Sequence, residues 1–210
     1  MTDTDDPAGA TPADRMRDGR GHGRNDGRND GLGNGSGAGG RVVVVMGVSG
    51  CGKSTIAEHL AAHLSADFLD GDTLHPKANI DKMSRGEPLD DDDRTPWLQA
   101  VRDTAAERAA RYGVHVVACS SLKRDYREIL RGAGAVSFVF LDGSRELIAS
   151  RMHERRGHFM PETLLDSQFE ALQRPDGEPG VVVVSIDADP DTIAADAAAA
   201  LAELHRESPA

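Results

Sequence analysis

Short apolar runs alternate with segments of helical spacing along most of this chain. The first run, residues 42–46, is Val-Val-Val-Val-Met, and Ile56, Leu60 and Leu64 follow at intervals of four after a short loop. A continuous β-branched run is typical of a strand buried on both faces, whereas apolar residues four apart line one face of a helix. The alternation therefore predicts βαβ units around a buried parallel sheet.

The same pattern places the individual elements. We predict strands near residues 42–46, 67–70, 114–119, 136–141 and 181–186. We predict helices near residues 53–64, 76–84, 95–112, 123–131, 144–156, 161–173 and 190–205. Five parallel strands joined by right-handed crossovers give an α/β fold, a three-layer αβα sandwich, in which ligands bind at the carboxyl ends of the strands.

The helix near residues 95–112 carries signals at both ends. Thr95 is suited to the N-cap, and Pro96 to the first helical position, where the missing N–H costs nothing. Gly113 is the expected stop. We therefore predict that this helix begins after Thr95.

Residues 1–40 differ in composition from the rest of the chain. They hold eleven of the 23 glycines, and they contain no Val, Ile, Phe, Tyr or Trp. Such a segment cannot bury enough apolar surface to offset the entropy lost on ordering. We predict a disordered tail over residues 1–40 and a single folded domain over residues 41–210; a tethering role for the tail is the alternative.

Charge and cysteine content exclude several classes of partner. The chain has 35 acidic and 24 basic residues and a net charge of −11, which argues against a nucleic-acid partner. Cys51 and Cys119 are too few for a disulfide framework, so a reducing cytoplasm is expected. No apolar run approaches the roughly 20 residues of a membrane span, and the N-terminus lacks the apolar core of a secretory signal.

The segment after the first strand has the spacing of a phosphate-binding P-loop. Gly47-Val48-Ser49-Gly50-Cys51-Gly52-Lys53-Ser54 matches Gly, four residues, Gly, Lys, then Ser or Thr. Glycines let the backbone wrap closely around a phosphate, and the helix that follows adds unpaired N–H groups. The residues expected to bind a nucleoside triphosphate are Gly47, Val48, Ser49, Gly50, Cys51, Gly52, Lys53, Ser54 and Thr55.

Within this loop, Lys53 is expected to contact the β- and γ-phosphates, and Ser54 to give its hydroxyl to Mg²⁺. Cys51 occupies a variable position of the pattern, where we interpret it as a bystander that is open to oxidation. The alternative is a glycine-rich turn that only joins strand to helix.

The second strand ends at two carboxylates, Asp70 and Asp72, with Gly71 between them. Asp72 is suited to accept the proton of a substrate hydroxyl, and Asp70 to help hold Mg²⁺. No acidic residue follows the third strand, so the metal role falls to this pair. We interpret Gly71 as leaving room for a ligand; a solvated Asp-Gly-Asp turn is the alternative.

Two later helices carry cations that can meet anions. Lys123 and Arg127 lie four apart and can clamp an anionic substrate. Arg151 and Arg155 also lie one turn apart, in a segment of about residues 151–162 that we interpret as a mobile lid with its hinge near Gly157. Cations from a closing lid would stabilise the transferring phosphoryl group. A solvated surface helix is the alternative.

A block of residues beyond the P-loop is more specific than the P-loop itself. The block comprises Phe68-Leu69-Asp70-Gly71-Asp72, His75-Pro76, Asn79, Lys82-Met83, Gly86, Pro88-Leu89, Asp91-Asp92-Asp93-Arg94, Pro96-Trp97-Leu98, Cys119-Ser120, Leu122-Lys123, Tyr126-Arg127, Arg156-Gly157-His158-Phe159 and Ser167-Gln168-Phe169. With it, the chain resembles the small P-loop gluconate kinases of bacteria from Val42 to about Ala200. It departs from them in its long tail, in Cys51 and in Ser121.

The resemblance implies ATP-dependent phosphorylation of D-gluconate at the 6-hydroxyl, feeding the pentose phosphate and Entner–Doudoroff routes. It implies a fold like that of shikimate kinases, often as a homodimer. It also makes residues 86–94 part of a substrate-side lid, with Arg94 a candidate partner for the gluconate carboxylate. His75 and His158 are candidate substrate contacts or hinge hydrogen-bonders, and Trp97 is expected to be a core anchor.

Besides the nucleotide-binding residues of the P-loop, the predicted site has three parts. The catalytic set is Lys53, Asp72, Arg151 and Arg155. The substrate set is Asp72, His75, Arg94, Lys123, Arg127 and His158, and the metal set is Ser54 and Asp70. Another small-molecule kinase on the same scaffold and a non-catalytic nucleotide-binding regulator are the alternative functions.

Overall fold

The sheet of this protein has five parallel strands in the order β2-β3-β1-β4-β5. The structure is a computed structural model, and it describes residues 40–154 and 162–207. The strands are β1 Arg41–Met46, β2 Asp67–Asp70, β3 Val114–Ala118, β4 Ala135–Asp142 and β5 Val181–Ser185. All five predicted strands are confirmed, each within one residue at either end.

Helices cover both faces of the sheet. They are α1 Lys53–His63, α2 Lys77–Ser84, α3 Asp91–Tyr112, α4 Arg124–Arg131, α5 Arg145–Glu154, α6 Glu162–Ala171 and α7 Pro190–Glu207. A short 3-10 helix, Gly71–Leu74, was not predicted. Residues 1–39, nearly all of the predicted tail, lie outside the described residues. So do residues 155–161 of the predicted lid.

Strand β1 supplies side chains to two separate cores. Val43 and Val45 pack in one core with Ile56 and Leu60 of α1, and this core also contains apolar residues of α7. Val42, Val44 and Met46 pack in the other core, against α3 and α4. Alternate residues of a strand point to opposite faces, so an unbroken apolar run serves both layers at once. The predicted three-layer αβα sandwich is confirmed.

The connections place a switch of direction at the end of β1. This strand pairs with β3 on one side and with β4 on the other. The chain leaves β1 toward β2 and returns through β3, and only then continues to β4 and β5 on the opposite side. Open α/β sheets bind ligands where the strand order reverses in this way. The loop after β1 therefore lies at the expected ligand site.

Helix α3 begins earlier than predicted. Its N-cap is Asp90, whose side chain accepts the N–H of Asp93, while the Asp93 carboxylate accepts the N–H of Asp90. This reciprocal capping box outweighs the signal from Thr95. Pro96 consequently lies inside the helix, where its missing N–H leaves one backbone bond unmade. The prediction of Thr95 as N-cap was wrong.

The turn after β2 is tied to α3 through Gly71 and Trp97. Trp97 is 2% exposed, which confirms it as a core anchor, and its indole N–H donates to the Gly71 carbonyl at 2.8 Å. A Cβ on Gly71 would lie 2.6 Å from the Ala118 carbonyl oxygen of β3. The glycine is needed for close approach to β3, so our interpretation that it leaves room for a ligand was wrong.

Over residues 40–154 and 162–207, no helix combines the length and apolar character that crossing a membrane requires.

Candidate active site

The P-loop joins the end of β1 to the start of α1. Gly50 and Gly52 have φ angles of 81° and 97°, in the left-handed region that favours glycine. Gly52 is the N-cap of α1, so the first N–H groups of the helix face the loop. The ammonium group of Lys53 lies over the loop and donates to the Val48 carbonyl at 3.0 Å. Backbone donors and one cation thus converge at the switch point, an arrangement suited to phosphate.

The side chain of Cys51 is turned away from this convergence. Cys51 is fully buried in the core beneath the loop, and burial raises the pKa of its thiol. A buried thiol of raised pKa is neither accessible nor ionised. The interpretation of Cys51 as open to oxidation was wrong. Its backbone N–H donates to the Val48 carbonyl at 3.4 Å, and its contact with nucleotide remains a prediction.

Ser54 and Asp70 meet across the gap between α1 and β2. The Ser54 hydroxyl donates to Asp70 Oδ2 at 2.6 Å. The other carboxylate oxygen of Asp70 accepts the backbone N–H of Asp72 at 3.0 Å. One carboxylate therefore connects the P-loop to the residue predicted to accept the substrate proton.

Asp72 lies near the mouth of the P-loop. Its side chain is 71% exposed, in the 3-10 helix that follows β2. The buried Cys119 thiol is influenced both by the negative charge of Asp72 and by the positive charge of Lys53. Burial itself is the larger effect, and it raises the pKa of Cys119 to about 12. Asp72 is thus exposed and is connected to Ser54 of the P-loop through the single carboxylate of Asp70.

The imidazole of His75 lies beside the Asp72 carboxylate, with 3.9 Å between Nε2 and Oδ1. Its side chain is only 6% exposed and stacks on the Trp97 ring, with the ring centroids 4.1 Å apart. Burial lowers the pKa of His75, more than the nearby Asp72 charge raises it. A neutral, stacked imidazole supports the turn that carries Asp72, so direct contact of His75 with substrate remains a prediction.

A cationic cluster lies at the start of α4, beyond the end of β3. The Lys123 ammonium binds both oxygens of Asp91, at 2.7 and 2.9 Å, and the Tyr126 hydroxyl also donates to Asp91. These bonds hold the pKa of the Asp91 carboxyl below its usual range, with Lys123 as the main cause. The Arg94 guanidinium lies over the Tyr126 ring, 5.9 Å from its centroid. Lys123 and Arg94 therefore both lie against the Tyr126 ring, and their contact with a substrate remains a prediction.

Arg127 is separated from this cluster. It is fully buried and donates from Nε to Glu178 at 2.9 Å. Its remaining nitrogens bind Glu178 and the backbone carbonyls of Ser121, Leu122 and Gln173. A guanidinium with all its nitrogens occupied inside the protein cannot also clamp a substrate. The prediction of Arg127 as a substrate residue was wrong; it joins the segment before α4 to the segment between α6 and β5.

Of the predicted lid cations, only Arg151 lies among the described residues. Its guanidinium donates to the carbonyl of Ile186 at 2.6 Å and to that of Ala188 at 3.3 Å, in the loop between β5 and α7. Arg151 is near enough to the P-loop for its charge to affect Cys51. Its contact with a transferring phosphoryl group remains a prediction. Arg155 and His158 lie outside the described residues.

Two residues of the site had no predicted role. Tyr126 holds Asp91 in the cationic cluster, and Gln168 of α6 accepts the backbone N–H of Ser49 in the P-loop at 2.6 Å. Neither contact follows from spacing, because the partners are 35 and 119 residues apart. The only signal for either residue was its place in the block that carries the family resemblance.

Comparison with known proteins identifies the family. Residues 42–175 match a family model described as an AAA domain. The thermosensitive gluconokinase of Escherichia coli is 51% identical over 152 residues, which are 71% of this chain and 81% of that enzyme. This chain belongs to the gluconokinase family. A gluconokinase of Gluconobacter oxydans is 47% identical over 154 residues, 73% of this chain and 86% of that one.

A solved structure extends this finding to the gluconokinase fold. The crystal structure of a gluconokinase from Sinorhizobium meliloti matches with a TM-score of 0.74 and 46% identity. The match covers 80% of this chain and 95% of the other. The resemblance inferred from the residue block is therefore confirmed.

Proposed function

We propose that this chain is an ATP-dependent gluconokinase that phosphorylates D-gluconate at the 6-hydroxyl to give 6-phospho-D-gluconate. The observation that carries the proposal is the 51% identity to a gluconokinase over 81% of that enzyme's length. The position of an exposed carboxylate, Asp72, near the mouth of the P-loop supports it independently.

The P-loop is the proposed site for the triphosphate. The N–H groups of the first turn of α1 and those of the loop other than Gly47 and Ser49, which already bind Ser120 and Gln168, would bind phosphate oxygens. The Lys53 ammonium would leave Val48 for the β- and γ-phosphates. Arg151 is a candidate second cation from the opposite side. These groups fix the terminal phosphate in place before the acceptor reacts.

Ser54 and Asp70 fit the requirements of a magnesium site. A hydroxyl and a carboxylate held 2.6 Å apart beside the phosphate loop are hard oxygen donors of the kind that Mg²⁺ prefers. The ion supplies positive charge to the phosphate oxygens when it is bound. Ser54 would offer its oxygen directly, and Asp70 would orient the ion's bound waters.

Asp72 is the proposed acceptor of the substrate proton. The 6-hydroxyl oxygen would attack the γ-phosphorus, the bond from that phosphorus to the β–γ bridging oxygen would break, and the hydroxyl proton would pass to the Asp72 carboxylate. Geometry decides whether a carboxylate can act in this way, since it must reach the hydroxyl. Asp70 accepts the backbone N–H of Asp72 and so helps to hold its turn in place.

The Lys123 and Arg94 cluster is the proposed site for the gluconate carboxylate. Asp91 already neutralises Lys123, so a substrate carboxylate would share or replace this partner. Tyr126 offers a hydroxyl to the same place. A sugar acid could then extend from this cluster toward Asp72.

A coupled assay of ADP release tests the proposed substrate. The panel should contain gluconate, shikimate, glycerate and a nucleoside monophosphate, each with ATP and Mg²⁺. We expect strong stimulation by gluconate alone. Absence of stimulation by gluconate would exclude the proposed activity, and stimulation by another acceptor would identify a different kinase on this scaffold.

Removing the Ser54 hydroxyl should raise the magnesium requirement. We expect Ser54→Ala to need about tenfold more Mg²⁺ for half-maximal turnover, because one hydrogen-bonding oxygen ligand is lost. The measurement is a magnesium titration of gluconate-dependent ADP release. Ser84→Ala, which removes an exposed hydroxyl from the end of α2, is the control. An unchanged titration for Ser54→Ala would refute the assignment.

Homodimer formation and a cytoplasmic location also remain proposals. The family resemblance supports the first, and the cysteine content supports the second. Light scattering of the purified protein and fractionation of its host cells would test them.

A further inference from the structure

Gln168 reaches the P-loop from α6, a helix to which the proposed reaction gives no role. Its Oε1 accepts the backbone N–H of Ser49 at 2.6 Å, and both residues are partly buried. Ser49 directly follows Val48, whose carbonyl accepts the Lys53 ammonium. The Val48 carbonyl and the Ser49 N–H belong to the same peptide group and point in opposite directions, so Lys53 and Gln168 bind the two sides of one peptide group of the loop.

The contact with Ser49 fixes which end of the Gln168 amide is free. A backbone N–H is a donor, so the end that meets it must be the carbonyl oxygen. The NH2 group, attached to the same carbon, must then be the other end. Within residues 40–154 and 162–207, Nε2 of Gln168 donates no hydrogen bond to the protein. The result is an oriented donor without a protein partner beside a loop built for phosphate.

Helix α6 holds this amide in place. Leu165 is 1% exposed and belongs to the same core as Val48 and Cys51 of the P-loop. Asp166 pairs with Arg145 of α5, with 2.6 Å between Oδ1 and Nε. A side chain on an anchored helix loses little entropy when it binds a ligand, so the donor is preorganised.

We propose that Gln168 Nε2 donates a hydrogen bond to an oxygen of the terminal phosphate of bound ATP, while Oε1 stays on Ser49. The inference rests on the proposed function only in taking ATP as the ligand. It makes Gln168 a residue that binds the nucleotide as well as one that braces the loop. A purely bracing role would need the oxygen alone.

Two substitutions separate these roles. Gln168→Glu has almost the same shape and keeps an oxygen for Ser49, but it replaces the NH2 group by negative charge. Gln168→Ala removes both ends. If Nε2 binds phosphate, we expect about tenfold weaker ATP binding in Gln168→Ala and a further loss of at least about tenfold in Gln168→Glu. ADP binding should change less than ATP binding in both variants.

The measurement is nucleotide binding by calorimetry without gluconate, and thermal unfolding without nucleotide checks that each variant is folded. Gln173→Glu is the matched control, because Gln173 Oε1 also accepts a backbone N–H, that of Arg124 at 2.7 Å, and the variant gains the same charge. It should bind ATP like the unmodified protein. In turnover, Gln168→Ala should raise KM for ATP and leave KM for gluconate unchanged.

The outcomes are distinct. Gln168→Glu binding ATP more tightly than Gln168→Ala would overturn the proposal and leave a bracing role. Equal losses for ATP and ADP would also overturn it, because the contact would not involve the terminal phosphate. Tight ATP binding without gluconate turnover would defeat the proposed function and leave the test of Gln168 intact.

Discussion

Replacing Asp72 with asparagine is expected to lower gluconate-dependent turnover by about 10²- to 10⁴-fold, the range typical of losing a general base. ATP affinity should change little, because Asp72 is not part of the P-loop and is linked to it through the hydrogen bond from its backbone N–H to Asp70. Asparagine keeps the size of the side chain and the backbone N–H that Asp70 accepts. The change therefore removes the proton acceptor and leaves its turn intact. Initial rates of ADP release and calorimetric ATP binding are the two measurements.

Asp196→Asn provides the control for Asp72→Asn. Asp196 is an exposed carboxylate of α7, so the substitution removes the same charge from a surface outside the proposed site. We expect it to leave turnover within about twofold of the unmodified protein, as surface substitutions usually do. Equal losses of turnover and of ATP affinity in Asp72→Asn would contradict the proposed role, since a base contributes to the chemical step rather than to nucleotide binding.

Replacing Arg127 with methionine is expected to lower the free energy of unfolding by about 3–5 kcal/mol, because the largely buried Glu178 carboxylate loses its hydrogen-bonded partner. Of the residues that the structure describes, only the more distant Arg131, 3.7 Å away, would remain to pair with it. Glu178 is only 13% exposed. Urea denaturation of the unmodified protein and the variant measures the loss. The double variant, Arg127→Met with Glu178→Met, should recover part of it. Recovery should stay incomplete, because three backbone carbonyls lose their donor.

The pH dependence of stability gives a second signature of this pair. Hydrogen bonding to Arg127 lowers the pKa of Glu178 below its usual value. A depressed folded-state pKa contributes stability above the ordinary glutamate pKa, and this stability is lost as the pH falls through the folded value. The double variant should lack this part of the acid destabilisation. An Arg127→Met variant as stable as the unmodified protein would refute the structural role of the pair.

The fold followed from the sequence because its signals are local. Four consecutive valines after Arg41 can only be satisfied in a strand covered on both faces, and the glycine spacing after Met46 specifies a loop around phosphate. The capping box of Asp90 and Asp93 was also local, yet it was overlooked because a threonine followed by a proline offered a competing start. Strand positions were therefore predicted more accurately than the start of α3.

The site was only partly predictable because its contacts are long-range. The pairing of Ser54 with Asp70 was foreseen, since both residues follow strands whose carboxyl ends share one edge of the sheet. Lys123 and Arg127 look equivalent in the sequence because they lie four residues apart. In the structure Arg127 is buried and bonded to Glu178, which is 51 residues away along the chain. Which cation is exposed depends on the packing of a distant loop, and spacing within one helix does not contain that information.

The hydrogen bond from the Trp97 indole to the Gly71 carbonyl allows tryptophan fluorescence to report on the turn after β2. The chain has a single tryptophan, so all of its indole emission arises beneath the turn that carries Asp72. The imidazole stacked on that indole belongs to the same turn. Rearrangement of the turn around an acceptor would change the surroundings of this one fluorophore, and events at the acceptor side can be followed without attaching a dye.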